Sequence, residues 1–288
     1  MSERQPIPLF VIGTARSGTT WIANLLISHP AIAGLAAEVH HGVHESHLLD
    51  HTRYALPGVM SCTEFVARYA LEDYWRLARI DAAEFCLSAP ARGDAVGFFR
   101  ALMDAVARRD GARYWIEKTP KHAIYYQELL RRFPDARFLV IRRRFLDVVR
   151  SQLGTFGRAD AGAFRQRAEK VFRYESDARA VQRLFRSAPG RVLIVSYEDL
   201  VANTALQTAR VLNWLGLESA SLISRYEAAS SFGSGRGPRP QVGWVERAML
   251  ESLRLACRLM PFAAQRALRE RRDRQSARAF PKYALVPG

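Results

Sequence analysis

Short apolar runs recur along the chain and alternate with stretches of helical periodicity. Five such runs predict buried strands, at residues 9–12, 31–35, 114–116, 137–141 and 192–195. Apolar residues three and four positions apart indicate helices between them. Strands that alternate with helices favour a mainly parallel sheet that is covered on both faces. The pattern therefore predicts an α/β fold of three layers, with a central sheet between two layers of helices.

The helical periodicity places the predicted helices and leaves two long loops. Helices are predicted from Thr19 onward and over residues 64–79, 95–109, 120–133, 145–153, 163–186 and 204–215. Thr63 is a plausible N-cap for the second of these. Residues 42–62 and 230–243 are predicted as loops. Since neither a repeat nor a linker divides the chain, we predict one domain over 1–288, with a core over about 8–245 and a basic helical region over 246–288.

Polar residues collect where the predicted strands end. They are residues 13–20, Glu38, 117–118, 142–144 and 196–199. In open parallel sheets, ligands bind beyond the carboxyl ends of the strands. These residues are therefore expected to surround one site.

The first strand leads into a glycine-bounded loop that is typical of anion binding. Residues 13–20 follow the phosphate-loop pattern G-x-x-x-x-G-K-[ST], with Gly13, Gly18 and Thr20 in place. Thr19 stands where the pattern has lysine, which in NTPases reaches the terminal phosphates. Arg16 lies inside the loop instead. A guanidinium can bind two oxygens of one phosphate or sulfate group at once. The loop therefore predicts an anion site and makes ATP hydrolysis a weaker alternative.

The charge balance agrees with an anionic ligand. The chain has 43 Lys and Arg against 28 Asp and Glu, a net charge of +15. A phosphorylated cofactor, a nucleic acid or an acidic polymer would each suit this charge, as would solvated arginines on helix faces. The arginines lack the aromatic interleaving of a single-strand platform, and no helix-turn-helix pattern is present. We therefore expect no nucleic-acid partner.

The cysteines, the histidines and the apolar runs show which other kinds of site or segment to expect. The three cysteines, Cys62, Cys86 and Cys257, suggest neither a disulfide framework nor a zinc site. The histidines of residues 41–47 fit no standard metal spacing well. No apolar run reaches membrane-spanning length, and the N-terminus carries no signal-peptide core. The expectation is a cytoplasmic protein with no integral membrane segment and no metal.

The loop also resembles a known family. The run from Arg16 to Trp21, R-S-G-T-T-W, resembles the 5′-phosphosulfate loop of sulfotransferases that use 3′-phosphoadenosine 5′-phosphosulfate (PAPS). These enzymes share a P-loop-kinase-like fold and transfer a sulfuryl group, generally without a metal, which leaves 3′,5′-ADP. The resemblance implies that the cofactor is bound here by Arg16, Ser17, Gly18, Thr19, Thr20 and Trp21.

A second resemblance concerns the 3′-phosphate. Arg143 and Ser151 are spaced as in the family element R-[DH]-P-x-D-x-x-x-S, which implies that they hold this group. Arg144 and Phe145 depart from the pattern, so that Arg142 or Arg144 could share the role of Arg143. Arginines at a helix start are unfavourable to the helix dipole unless an anion lies there, which also favours a phosphate site.

Two later stretches resemble the family less closely. Gly235-Arg236-Gly237 and Val242-Gly243-Trp244 are similar to a loop that covers the 3′-phosphate and the adenine, which implies that Arg236 and Gly237 bind the cofactor. A plain linker is the competing interpretation. Residues 197–200, Y-E-D-L, resemble another family element. We expect them to cap the next helix, with Tyr197 as a further cofactor-binding candidate.

The candidate catalytic base is Glu38. Residues 37–41, A-E-V-H-H, resemble the N-E-V-H-F-F segment of heparan sulfate 3-O-sulfotransferases, in which the glutamate is the base. Tyrosylprotein sulfotransferases likewise place a base glutamate a little over twenty residues past the loop arginine. Burial would raise the pKa of Glu38 for this work. His40 is the second candidate, because imidazole titrates near neutrality.

Residues 117–120, E-K-T-P, match an element of the carbohydrate sulfotransferases. The match implies that Lys118, together with Arg16, stabilises the charge that develops during transfer. Glu117 is expected to pair with Lys118 or to orient the acceptor.

These resemblances imply in-line transfer of a sulfuryl group from PAPS to a hydroxyl of a carbohydrate, lipid or small natural product. The alternative is a P-loop-like kinase or NTPase. The acceptor and the oligomeric state stay open, and a homo-oligomer is possible.

Overall fold

The structure is a computed structural model that describes residues 5–70, 72–156, 163–219, 222–226 and 243–279. In chain order its strands are β1 (Ile7–Gly13), β2 (Ile32–Gly34), β3 (Ala36–Ala37), β4 (Gly42–Val43), β5 (Met60–Ser61), β6 (Arg92–Gly93), β7 (Tyr114–Lys118), β8 (Arg137–Arg142) and β9 (Val192–Ser196).

The α-helices lie between and after these strands. They are α1 (Thr19–Leu26), α2 (Arg53–Ala55), α3 (Cys62–Tyr69), α4 (Asp73–Ala78), α5 (Ala82–Ser88), α6 (Ala95–Arg109), α7 (Tyr126–Arg132), α8 (Phe145–Phe156), α9 (Ala163–Ser187), α10 (Tyr197–Ala202), α11 (Thr204–Leu215), α12 (Trp244–Leu259) and α13 (Phe262–Ala279). Short 3-10 turns cover Glu38–His40, Pro120–Tyr125 and Pro189–Arg191, and a π-turn covers Leu48–Thr52.

Five strands form one parallel sheet in the order β2-β7-β1-β8-β9, which confirms the predicted sheet. The strand β1 lies in the middle, with Phe10 opposite Glu117 of β7 and Phe138 of β8. The loop after β1 therefore leaves the sheet between the carboxyl ends of β7 and β8. The short pairs β3-β4 and β5-β6 are antiparallel and lie outside this sheet.

Alternate residues of the strands pack into two separate cores, one on each face of the sheet. Phe10 and Trp115 belong to one core, whereas Val11 and Ile116 belong to the other. The ring of Phe10 lies 4.9 Å from that of Phe133 in a T-shaped arrangement. Helices cover both faces, so that the predicted three-layer arrangement is confirmed.

The helix predicted over residues 64–79 is two helices, α3 and α4. Glu72 has extended backbone, with φ −79° and ψ 142°, and interrupts the helical path. On one continuous helix, Tyr69, Tyr74 and Trp75 would point in widely different directions. The break allows all three rings to be buried. The N-cap of α3 is Ser61, and not Thr63 as predicted, because its Oγ accepts a hydrogen bond of 3.1 Å from the Glu64 amide.

Two further departures lie between β3 and α6. Residues 42–62, predicted as a loop, contain the π-turn and buried residues such as Leu48 and Asp50. Helix α5 was not predicted, although the sequence holds its cap, since the Asp81 carboxylate accepts from the amides of Ala83 and Glu84. The π-turn has 5 residues and α5 has 7, so that neither is long enough for a clear apolar periodicity.

The C-terminal helices are attached to the rest of the fold through α9. Arg254 of α12 pairs with Glu175, and the buried Arg269 of α13 donates to Asp177 at 3.0 Å. Some of the arginines therefore pair with acids and hold the C-terminal helices in place. Within the described ranges, no helix combines the length and the apolar character that crossing a membrane requires.

Candidate functional site

The loop after β1 owes its shape to three residues with positive φ. These are Gly13 (+154°), Arg16 (+73°) and Gly18 (+93°). A side chain at Gly13 would overlap the Ile141 carbonyl, and one at Gly18 would overlap the ring of Tyr197. Glycine is therefore required at both ends of the loop for reasons of space as well as of backbone conformation.

The loop leads directly into helix α1 with its backbone donors uncapped by side chains. Gly18 is the N-cap, and the first turn holds no acidic residue. Ser17 is fully buried, and its hydroxyl makes no hydrogen bond with any described residue. A buried hydroxyl and free helix N–H groups beside one another suit an anionic ligand.

The side chains predicted for the two ends of the cofactor lie together here. Arg16 Nε donates to Ser151 Oγ at 3.1 Å, and Arg143 Nη1 donates to the Arg16 carbonyl at 2.9 Å. Burial and the nearby charge of Arg143 lower the pKa of Arg16. Two guanidinium groups held this close repel each other, and an anion between them would relieve the repulsion.

The structure also distinguishes the three consecutive arginines. Arg142 and Arg144 are exposed, and Arg144 is paired with Glu198, whose Oε1 accepts from its amide at 3.1 Å. Arg143 instead points toward the loop and stacks on Tyr197, with its guanidinium carbon 4.2 Å from the ring centre. Among the three, Arg143 is the residue that joins the loop.

Aromatic residues border the same place. Trp21 and Tyr197 make a T-shaped contact with their ring centres 6.1 Å apart. Tyr197 is the first residue of α10, whose cap is Ser196. Residues 197–200 therefore begin a helix of their own. The prediction that they cap the next helix is wrong, because α11 is capped by Asn203, whose side chain accepts from the Leu206 amide at 3.0 Å.

A cavity of about 740 Å³ opens beside Arg143. Its walls come from β8, β9, α9 and α12. Two acids, Glu175 and Glu198, face a larger set of cations that consists of Arg142, Arg143, Arg144, Arg179, Arg254 and Arg258. The cavity therefore extends the positive region from the loop toward the C-terminal helices.

At the end of β7, Glu117 and Lys118 point to opposite faces of the sheet because neighbours on a strand alternate. The predicted pairing between them is therefore not observed. Lys118 Nζ binds Glu45 Oε1 at 2.9 Å. Glu117 is fully buried and accepts from Ser46 Oγ at 2.8 Å and from His122 Nδ1 at 3.0 Å. Burial acts to raise the pKa of Glu117, but the interaction with His122 outweighs it and lowers that pKa.

A buried network surrounds this glutamate. The ring of His122 lies between Glu117 and Asp50, with its Nε2 3.5 Å from Asp50 Oδ1. Burial would lower the pKa of His122, but the two carboxylates raise it to about 9. The Leu49 amide also points at Nε2 from 3.2 Å, a contact that suits the neutral ring. Lys121 connects Asp50 at 2.9 Å to helix α13.

The candidate bases lie on the turn Glu38–His40. Glu38 is exposed, so that the burial expected to raise its pKa is not observed. His40 Nε2 lies 3.4 Å from Asp73 Oδ2, and its ring centre is 3.8 Å from that of His44. Burial and the neighbouring His40 lower the pKa of His44 to about 4, which leaves its ring neutral.

Sequence reasoning missed His122, Asp50, Asp73 and Glu45. None of them lies in a stretch with a recognisable spacing, although His122 follows closely on the E-K-T-P element. Arg236 and Gly237 lie outside the described residues. Trp244, at the edge of that stretch, is 83% exposed.

Comparison with known proteins agrees with this geometry. Residues 8–221 match the profile of a family described as the sulfotransferase family. The sulfotransferase domain from the curacin biosynthetic pathway is similar in structure, with 15% identity, a TM-score of 0.52 and coverage of 94% of this chain and 98% of that one. A sulfotransferase from Alicyclobacillus acidocaldarius is similar at 16% identity and TM-score 0.52, over 96% and 99% of the two chains. A search of curated proteins finds no match.

Proposed function

This chain belongs to the sulfotransferase family, and we propose that it transfers a sulfuryl group from PAPS to an acceptor hydroxyl. The observation that carries the choice of donor is the contact between the two predicted anion sites. Arg16 of the loop bonds to Ser151, and Arg143 bonds to the loop backbone. A donor with an anionic group at each of two ends would use both sites together.

The residues present fit such a donor. The Ser17 hydroxyl and Arg143 Nε are buried and without a hydrogen-bond partner among the described residues, and both can donate to phosphate oxygens. The residues that would hold the 5′-phosphosulfate end are Arg16, Ser17, Gly18, Thr19 and Thr20. Arg143 and Ser151 would hold the 3′-phosphate, and Trp21 and Tyr197 would lie against the adenine, with Arg236 and Gly237 added by resemblance. When bound, PAPS supplies the sulfuryl group that is transferred.

On the acceptor side, Glu38 would take the proton from the attacking hydroxyl. Its exposed carboxylate becomes a stronger base when the acceptor excludes water from it. His40 is a second candidate for this role, favoured by its contact with Asp73, since a carboxylate can orient an imidazole base.

Lys118 and Arg16 would stabilise the negative charge that develops as the sulfuryl group moves. Lys118 ends β7 and lies opposite Val11 of β1, next to the strand that carries the loop. Its partner Glu45 holds its amine in place. Preorganised cations of this kind lower the barrier of transfer reactions.

We propose an uncharged hydroxyl compound as the acceptor, such as a sugar, a lipid or a small natural product. The charged groups around Glu117 and Lys118 are paired with one another, and this leaves hydrogen bonding and shape to select the acceptor. The proposed reaction needs no metal, and the proposed location is the cytoplasm.

The donor is tested by titration calorimetry of the full chain with 3′,5′-ADP, ATP with Mg²⁺, and a DNA oligomer. We expect tight binding of 3′,5′-ADP that Arg16→Ala weakens at least about tenfold, because a hydrogen bond to a charged group is lost. Arg131→Ala is the matched control, since Arg131 is exposed on α7 and pairs with Glu128. Binding of ATP with Mg²⁺ alone would favour the kinase alternative, and binding of DNA alone would exclude both enzymes.

The acceptor class is tested by incubating the chain with labelled PAPS and panels of sugars, lipids and small hydroxyl compounds. We expect label to move to a hydroxyl compound and 3′,5′-ADP to form in equal amount. Transfer to an amine and not to a hydroxyl would contradict the proposed acceptor without affecting the donor.

A further inference from the structure

Two histidines and one aspartate converge beside the turn that carries Glu38. His40, His44 and Asp73 each offer one ligand atom, and these atoms all lie within 4.8 Å of one another. His40 Nε2 and Asp73 Oδ2 are 3.4 Å apart. All three residues are half-buried, so that they are reachable from solvent yet held by the fold.

We propose that His40, His44 and Asp73 form a binding site for a divalent transition-metal ion of the zinc class. Imidazole nitrogen and carboxylate oxygen are the usual partners of Zn²⁺, and three protein ligands leave a fourth position open. Two ligand atoms bound tetrahedrally to one Zn²⁺ lie about 3.3 Å apart. The 3.4 Å between His40 Nε2 and Asp73 Oδ2 is close to this value, and the His44 ligand atom lies within 4.8 Å of both.

The backbone holds the two histidines in place before any ion arrives. His40 lies in the connection between β3 and β4, which pair with Ala36 opposite Val43, and His44 directly follows β4. Asn24 fastens the hairpin, because its side chain donates to the His41 carbonyl at 2.9 Å and accepts from the Val43 amide at 2.8 Å. The His44 amide donates to the Leu35 carbonyl at 2.9 Å. Because the backbone around both histidines is already ordered, ion binding loses little conformational entropy there.

The third ligand comes from a different part of the chain and has its own support. Asp73 is the first residue of α4, where its carboxylate also contacts Arg76. The next residue, Tyr74, is buried and places its ring 5.8 Å from the His44 ring. This packing holds the start of α4 beside His44. A bound ion would connect the Glu38–His40 turn to α4 and so limit the movement of Glu38, and it would occupy His40 and leave Glu38 as the candidate base.

Two cations whose charges act on the site are Arg76 and Lys118. Each is paired with a carboxylate, Arg76 with Asp73 and Lys118 with Glu45. Arg76 is exposed and can turn into solvent when an ion takes its place on Asp73. The negative charge of Glu45 offsets part of the repulsion between Lys118 and the ion.

The test is calorimetric titration of the chelator-treated full chain with Zn²⁺, in the absence of any sulfuryl donor or acceptor. We expect one ion per chain, and at least about tenfold weaker binding in both His44→Ala and Asp73→Ala, since the loss of even an outer partner costs that much. Co²⁺ should give the visible absorption of a tetrahedral site in the wild type and lose it in both variants.

His41→Asn is the matched control. It removes an exposed imidazole from the same hairpin and keeps a residue that tolerates the left-handed conformation found there, with φ +54°. We expect it to bind Zn²⁺ as the wild type does. Thermal unfolding without metal checks that all variants are folded, and added Zn²⁺ should raise the melting temperature of the wild type and of His41→Asn only.

Three results would overturn the site: no Zn²⁺ binding by the folded wild type, unchanged affinity in His44→Ala and Asp73→Ala, or equal weakening in His41→Asn. Each of them leaves the proposed donor untouched, because 3′,5′-ADP binding is measured at the loop after β1.

Discussion

The two sides of the site differ in whether their charged side chains are paired. On the loop side, Arg16 and Arg143 lie close together, and neither pairs with a carboxylate among the residues that the structure describes. On the proposed acceptor side, Lys118 pairs with Glu45, and Glu117 with His122. The positive charges of the loop side are therefore without internal compensation, whereas those of the acceptor side are compensated before any ligand binds.

This difference separates binding from stability. Unpaired, partly buried charges destabilise the ligand-free fold and favour binding of an oppositely charged group. Paired buried charges give little net attraction for ligands, but the loss of one partner strongly destabilises the fold. Substitutions on the loop side should therefore reduce nucleotide affinity, and substitutions in the buried network should reduce stability.

The largest effect is expected for Glu38→Gln, which removes the proposed base and leaves both sets of charges as they are. We expect turnover to fall roughly a hundred- to ten-thousandfold. The affinity for 3′,5′-ADP should stay unchanged, because Glu38 is exposed and lies off the loop. Steady-state kinetics and calorimetry measure the two quantities. Retained turnover would exclude Glu38 as the base, and loss of turnover in His40→Ala would then assign that role to His40.

Next in size is the loss of stability in Glu117→Gln. The change leaves His122 buried beside an uncharged amide, and we expect the free energy of unfolding to fall by about 3–5 kcal/mol. Urea denaturation measures it. Glu128→Gln is the control, because Glu128 forms an exposed pair with Arg131 that is worth less than about 1 kcal/mol. If both substitutions lowered the free energy of unfolding equally, the buried network would not be the source of stability that the comparison assigns to it.

The same network predicts a pH dependence. The pKa of His122 is raised to about 9 in the folded chain, against an ordinary 6.5. Its contribution is therefore complete below pH 6.5 and is lost as the pH rises through 9, a difference of about 3 kcal/mol. Urea denaturation between pH 6 and 10 should show this fall in the wild type and not in His122→Gln. If the free energy of unfolding depended on pH in the same way in both proteins, the His122 ring would be neutral, as the Leu49 contact favours.

The smallest effect is expected for Arg143→Ala, which removes one of two neighbouring cations. The affinity for 3′,5′-ADP should fall by about 1.5–3 kcal/mol, the value of a hydrogen bond to a charged group. Stability should change little, because the repulsion from Arg143, which adds to burial in lowering the pKa of Arg16, is removed together with the contacts of Arg143 to the Arg16 carbonyl and the Tyr197 ring. Calorimetry and urea denaturation of one preparation measure both. A large loss of stability with an unchanged affinity for 3′,5′-ADP would show that Arg143 stabilises the fold and does not bind the nucleotide.

The sequence by itself determined the parallel sheet, the loop after β1 and the residues that surround the loop. Each of these depends on signals that are local in the chain. Apolar runs mark the strands, Gly13 and Gly18 mark the ends of the loop, and the eight-residue spacing of Arg143 and Ser151 lies within one strand end and helix. Because parallel strands all end at one edge of the sheet, local signals were sufficient to predict which residues meet at the loop after β1.

Only the tertiary structure decided how the side chains pair. It selected Arg143 among three neighbouring arginines, gave Lys118 the partner Glu45 in place of Glu117, and brought Asp73 to His40. It also left Glu38 exposed, although the base had been expected in a buried place. The partners come from segments far apart in the chain, and their distances depend on how the helices and turns pack against the sheet. No spacing along the sequence records that packing.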